Sequence, residues 1–244
     1  MKLNINIPQQ WDDLTTKQLV KVAKIITTTT PGTLQVLLLL KTLMSCKWYT
    51  FKSNAKLVVL LLNVPMLELV NYLDFIYKDN NRTIFLDNLK VKGTTYYKPM
   101  DRIVNLTADQ FAAALDLNNK YLQTKDLEYL QYLVAVLYRK TNAPEFDKLN
   151  LHTEADVFKK LKSSTLIAIH IAFSGCITII ANRFKKAFPK KATTTTKSNY
   201  GFGKIILEMT KGDLSKHRAV KNVNIYTFLE QFQTDIINAS KTQL

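Results

Sequence analysis

Two stretches of this chain carry the same helix start, and they constrain the fold more than any other feature. Residues 7–19 read Ile-Pro-Gln-Gln-Trp-Asp-Asp-Leu-Thr-Thr-Lys-Gln-Leu, and residues 106–111 read Leu-Thr-Ala-Asp-Gln-Phe. In each, a threonine (Thr15, Thr107) stands at the N-cap and a glutamine (Gln18, Gln110) follows three residues on. The hydroxyl and the amide can then satisfy two backbone N–H groups that a helix otherwise leaves orphaned. Leu14 and Leu106 before the caps, with Leu19 and Phe111 after the glutamines, are placed to close a hydrophobic staple. Only 6 Gly and 6 Pro among 244 residues, at 47% hydrophobic content, argue against a turn-dense β fold and against extensive disorder.

Apolar spacing predicts a helix over 16–27, with Leu19, Val22, Ala23 and Ile26 on one face and Pro31-Gly32 beyond its end. A second is expected over 33–47, a third over 56–63, and a fourth from Met66 to Tyr77 opened by Pro65. Residues 82–98 change character: Thr83 to Leu86, Leu89 to Lys92 and Thr94 to Tyr97 predict a small β-ribbon around Gly93. Further helices are expected at 108–122, 126–139, 154–162, 164–187, 201–210 and 225–239, and residues 2–7 suit an edge strand or extended arm. The fold expected is mainly α, a helical bundle-like domain with a small hairpin insertion and a C-terminal helical portion. The loop carrying Pro144 divides an N-terminal helical domain, 1–141, from a C-terminal portion, 150–244, with a basic linker at 189–200. One continuous domain is the alternative.

The formal charge is +15, which favours an acidic partner such as nucleic acid, an anionic membrane or an acidic protein face; simple solubility is the bland alternative. The cations are 29 Lys and 5 Arg. Lysine is a hydrated point charge, whereas base-edge reading leans on arginine, so the surplus reads as diffuse attraction. Residues 150–244 hold 15 bases and 6 acids against 19 and 13 in residues 1–149. The densest group is Arg183, Lys185, Lys186, Lys190 and Lys191, a candidate contact for phosphates or an acidic surface; the alternative is cations complementing a helix C-terminus. Cys46 and Cys176 lack ligand-spaced partners and read as reduced, buried thiols. The N-terminus lacks the apolar core of a secretory signal. The longest apolar run, Leu166 to Ala181, falls short of a membrane span, so a soluble protein is expected.

The residues that could carry chemistry do not form a recognisable set. Gly201-Phe202-Gly203-Lys204 lacks the spacer and the hydroxyl residue of a phosphate loop and reads as a hinge entering a helix. His152, His170 and His217 are scattered, His170 in an apolar helix and His217 between two cations. Asp12 and Asp13 suit a helix N-terminus, and Glu145 and Asp147 read as solvated loop charges. No catalytic residue, metal site or cofactor is therefore expected, and the chain is read as a non-enzyme. Its partner-binding candidates are the aromatic anchors Trp11, Trp48, Tyr226, Phe228 and Phe232, for which burial in the core is the alternative.

The segments at 7–19 and 106–111, together with Leu-Val-Ala-Val-Leu-Tyr-Arg at 133–139 and the stretch from Gly201 to Leu229, resemble uncharacterised tail- and connector-region proteins of tailed bacteriophages and prophages of Bacteroidetes. The resemblance covers both ends of the chain. It implies a virion component or tail-assembly chaperone that works through contacts with other phage proteins, in the virion or the host cytoplasm. It implies no active site. The lysine-rich linker and the threonine runs depart from the family pattern. A basic nucleic-acid-binding accessory protein is the rival expectation.

Overall fold

The computed structural model describes residues 7–45, 51–78, 80–140, 145–188, 202–210 and 213–242. The expected arm at 2–6, Cys46, Trp48, the threonines at 193–196, and Lys190 and Lys191 lie outside them. The fold is mainly α, with one two-stranded antiparallel hairpin.

Five helices come first: α1 (Thr16–Thr28), α2 (Thr33–Leu43), α3 (Phe51–Asn63), α4 (Met66–Asn71) and α5 (Asp74–Tyr77). The hairpin strands β1 (Leu89–Val91) and β2 (Thr94–Tyr96) pair with Leu89 opposite Tyr96 across a turn at Lys92-Gly93. Then follow α6 (Ala108–Thr124), α7 (Leu127–Leu137), α8 (Leu151–Asp156), α9 (Ser163–Arg183), α10 (Phe202–Met209), α11 (Leu214–Asn222) and α12 (Ile225–Thr242).

The contacts divide the chain into two units, 1–82 with 162–175, and 83–161 with 176–244. The loop expected to separate domains near 142–151 lies within the second unit, and α9 passes from one unit to the other. Its 21 residues exceed the apolar run and are apolar enough to cross a membrane by length and composition. Yet 56% of its most apolar window is buried by the chain itself, as in a core helix.

Both capped starts form as expected. In the first unit Thr15 Oγ1 accepts from Gln18 N at 3.3 Å, while Gln18 Oε1 accepts from Thr15 N at 3.0 Å. Gln18 is buried, and its amide Nε2 donates to Leu43 O at 2.9 Å, joining the start of α1 to the end of α2. Trp11, only 3% exposed, packs edge-to-face on Phe75 at 5.8 Å. Arg82, 1% exposed, donates through Nη1 to the Trp11 and Leu14 carbonyls, so a cation sits at the C-terminal end of the 3-10 turn Trp11–Asp13. Its backbone lies against Gly175, where no Cβ fits.

In the second unit the starts of α6 and α12 are bolted together. Thr107 caps α6 through Gln110, and an antiparallel bridge pairs Thr107 with Asn224. Ala108 N donates to Val223 O at 2.9 Å, and Ile225 N donates to Leu106 O at 3.0 Å. The bridge uses backbone groups that helix starts otherwise leave to solvent. In the same unit Phe111 meets Phe202 edge-to-face and Phe202 meets Phe228 at a tilt, with centroids 5.2 and 5.6 Å apart.

Two expectations need correction, and one helix is additional. Thr83 to Leu86 forms no strand: it is a largely buried segment whose Thr83 and Leu86 carbonyls take partners from elsewhere, Arg102 N on Thr83 O and Tyr138 Oη on Leu86 O. The helix expected from Met66 to Tyr77 breaks at Tyr72-Leu73 into α4 and α5. Finally, α11 was not expected, because nine mostly polar residues show no apolar period.

Candidate interaction surfaces

In the first unit α3 has an unusual burial pattern. The row Leu57, Leu60, Leu61 and Val64 is half-buried, but no described side chain from Asn54 to Glu68 is fully buried. Val58 is 52% exposed, Leu62 78% and, at the start of α4, Leu67 84%. A run of six consecutive aliphatic residues, Leu57 to Leu62, thus stands substantially in solvent. Soluble monomers rarely leave such contiguous apolar surface uncovered unless something docks on it.

The neighbouring α1–α2 pair encloses a groove of about 350 Å³ lined by Lys17, Lys21, Lys41, Thr42 and Ser45 among others. Between residues 14 and 67 the chain carries seven lysines and no Asp or Glu. The first unit therefore holds its own basic surface, which a charge sum taken over the two halves of the sequence conceals.

The basic group at the end of α9 is less available than the sequence suggests. Arg183 is paired with Glu230 at 2.8 Å, and its guanidinium lies over the Phe184 and Tyr226 rings at 5.2 and 5.4 Å. Lys186 N donates to Gln233 Oε1 at 3.4 Å. Arg183 thus helps to hold α12, while the Lys185 and Lys186 side chains stay exposed. The aromatic candidates divide similarly. Trp11 and Phe228 (2% exposed) are core residues, so their burial removes them from the surface; Phe232 is half-buried and stacks on Phe228 at 6.3 Å. Tyr226 donates from its hydroxyl to Arg102 O at 2.8 Å, and burial pushes its phenol pKa up.

Two polar clusters escaped the sequence reading. Asp109, Glu145, Asp147, Lys148, Arg218 and Lys221 line a cleft of about 490 Å³ in the second unit. They pair with one another. Arg218 holds Glu145 at 2.6 Å, Lys148 and Lys221 stand 3.0 and 4.0 Å from the buried Asp109, and Asp147 caps the 3-10 turn Lys148–Asn150. Glu145 is exposed, as expected of a loop charge, and also pairs with Arg218. The only forewarning was Asp109 inside the second helix start. The other cluster is on an exposed face, where the Tyr132 hydroxyl lies 2.6 Å from His152 Nδ1 and 3.1 Å from Glu128 Oε1. Burial of the phenol and the Glu128 carboxylate both hold the Tyr132 pKa above its ordinary value.

His170 is half-buried with Ser174 Oγ 3.4 Å from its Nδ1. Cys176 is buried, its thiol directed at Thr83 O. Among the described residues no group of three or more His, Cys, Asp or Glu side chains is arranged to hold a metal ion. Comparison of the chain with protein families, curated proteins and solved structures finds no match.

Proposed function

We propose that this chain is a non-enzymatic structural or assembly protein of a tailed bacteriophage, a tail or connector component or a tail-assembly chaperone, that works by docking other phage proteins. The observation that carries this reading is the uncovered aliphatic surface of α3 and the start of α4, with Val58, Leu62 and Leu67 its most exposed members. Burying such side chains in an interface supplies the apolar part of binding free energy at about 25 cal/mol per Å² of area removed from water. The working surface thereby moves from the aromatic anchors of the two ends to the aliphatic helix between them. The resemblance of residues 7–19, 106–111, 133–139 and 201–229 to phage tail-region proteins supplies the setting.

The test is affinity purification of the tagged chain from phage-infected cells, with mass spectrometry of the purified particles alongside. A tail or connector protein should co-purify with the wild type and be lost with Val58→Glu/Leu62→Glu. A chain that purifies alone, and is missing from particles and assembly intermediates, refutes the reading.

One observation favours the rival reading of a nucleic-acid accessory protein: the groove lined by Lys17, Lys21 and Lys41 in a stretch without acids. Binding there would be independent of base sequence and would fall steeply with salt. Charge reversal of these three lysines that leaves DNA retention unchanged excludes that groove.

A further inference from the structure

Helices α1 and α2 run antiparallel, tied at one end by Gln18 Nε2 on Leu43 O, and the groove of about 350 Å³ between them has a graded lining. Its α1 wall carries Lys17, Lys21 and Ile25. Each lies four residues after the last, so they share one face at steps of about 6 Å along the axis. Its α2 wall carries Leu38, Lys41, Thr42 and Ser45. Ser45 Oγ accepts from Gln18 Nε2 at 3.3 Å and marks the end where α1 starts, so Leu38 falls toward the other end, with Ile25. Ile25 and Leu38 are half-buried, and the three lysines are exposed.

The groove is thus cationic along its length and apolar at one end. None of the three lysines has an ion-pair partner among the described residues. Asp13, the nearest acid along the chain, accepts instead from Gln9 N and Gln10 Nε2. Like charges facing one another across a groove repel, and an anion laid between them relieves the repulsion. Three observations select the anion. The lysines are spread along the groove, which suits several charges in a row better than one head group. Their step of about 6 Å matches the repeat of side chains on one face of an extended chain, about 6.6 Å for every two residues. Ile25 and Leu38 offer contact to an apolar side chain, which a phosphodiester strand lacks. An extended chain also reaches deeper between two helices than a third helix, about 10 Å across, can.

The geometry points to a second docking site, in which the α1–α2 groove takes an extended acidic segment of another protein with the pattern acid-x-acid-x-apolar. Its carboxylates lie at Lys17 and Lys21, with Lys41 facing them from α2, and its apolar side chain lies against Ile25 and Leu38. This site goes beyond the α3 surface proposed above and does not depend on it.

The experiment uses the full chain and labelled synthetic peptides. The first is built on Glu-Ser-Glu-Ser-Leu, and its controls on Lys-Ser-Lys-Ser-Leu, on Glu-Ser-Glu-Ser-Ser, and on the same acids and leucine spaced four apart for a helix. The first peptide should bind with Kd below about 1 mM at low salt. It should bind at least about tenfold more tightly than the lysine peptide, and the gap should narrow as salt screens the charges. Removing its leucine should weaken it about threefold or more. The methyl NMR signals of Ile25 and Leu38 should shift only with the leucine-bearing peptide. Lys21→Ala should weaken binding about threefold, and Lys17→Ala/Lys21→Ala/Lys41→Ala about tenfold or more. Lys24→Ala, at an exposed lysine of α1 outside the lining, should leave affinity as it was. Circular dichroism and melting temperature should be unchanged throughout.

Equal binding of the glutamate and lysine peptides, an equal loss from Lys24→Ala, indifference to the leucine, or tighter binding of the helix-spaced peptide overturns the inference. So does an oligothymidylate that the wild type holds and the triple variant releases, where the glutamate peptide never binds; the groove then serves nucleic acid. None of these outcomes bears on the loss of a phage partner with Val58→Glu/Leu62→Glu, which tests docking on α3 alone.

Discussion

Replacing Gly175 with alanine should destabilise the protein, although glycine within a helix is itself unfavourable. A Cβ at 175 would stand 2.5 Å from Arg82 N and 2.9 Å from Arg82 C, with Arg82 O closer still. Ordinary contact begins near 3.4 Å, so helix and segment must separate by roughly 1 Å. The obstacle is backbone and cannot rotate away. Nor can the segment easily retreat: Arg82 is 1% exposed, with its guanidinium on the Trp11 and Leu14 carbonyls, and Asn80 Nδ2 donates to Ile171 O at 2.6 Å. Overpacking costs about 1–3 kcal/mol, and a backbone obstacle puts this site at the upper end, about 2–3 kcal/mol, against about 1 kcal/mol that alanine gains over glycine in a helix interior. The net expectation is a loss of about 1–2 kcal/mol, read as a lower urea midpoint at unchanged slope. Gly203 in α10 is the control, since nothing lies within 4 Å of a Cβ there. Gly203→Ala should be neutral or stabilising by up to about 1 kcal/mol. A Gly175→Ala protein as stable as the wild type would refute the close approach of α9 to residue 82.

Arg82→Met should cost about 2 kcal/mol or more in denaturant unfolding, because it takes the charged donor from the Leu14 carbonyl and leaves the Trp11 carbonyl with the Leu14 N–H alone. Thr15→Ala and Thr107→Ala should each cost about 1 kcal/mol, and Thr15→Ser or Thr107→Ser should restore most of it. The Ser215 hydroxyl and then Lys216 hold the Asp213 carboxyl below its usual 3.8. The stability it lends α11 is therefore complete above that value and is lost as pH falls through the lowered folded-state pKa. Carbon-detected NMR titration should show Asp213 protonating later than a free aspartate as acid is added. Burial raises the Asp116 carboxyl, with Lys148 and Lys120 only partly opposing it. Asp116→Asn should accordingly remove a destabilising contribution that grows as pH rises through the interval above 3.8, seen as a flatter stability profile there.

What the sequence disclosed follows from how local each signal is. The two capping boxes were legible because they need only four residues and form in place. The hairpin turn at Lys92-Gly93 was legible for the same reason. Arg82 and Gly175 were not, since their contact joins positions far apart in sequence; the small residues Ser174-Gly175-Cys176 inside an apolar helix were the available hint. Thr83 to Leu86 is rich in strand-favouring residues, yet only tertiary partners decide whether such a segment joins a ladder. For the interaction surface, hydropathy marked α3 as apolar, and apolar residues are read as core by default. That one stripe faces outward becomes visible only when burial is assigned residue by residue. Two of the aromatic candidates show the converse: Trp11 and Phe228 are large enough to anchor either an interface or a core, and here they anchor cores.

The account turns on α3 being the surface that a partner covers, and hydrogen–deuterium exchange of the chain alone and bound to a co-purified phage protein tests this most directly. Amides across 55–67 should exchange readily in the free chain and become protected in the complex, with those of α7 unchanged. Protection confined to α12 or to residues 183–188, with α3 exchanging as before, would contradict it.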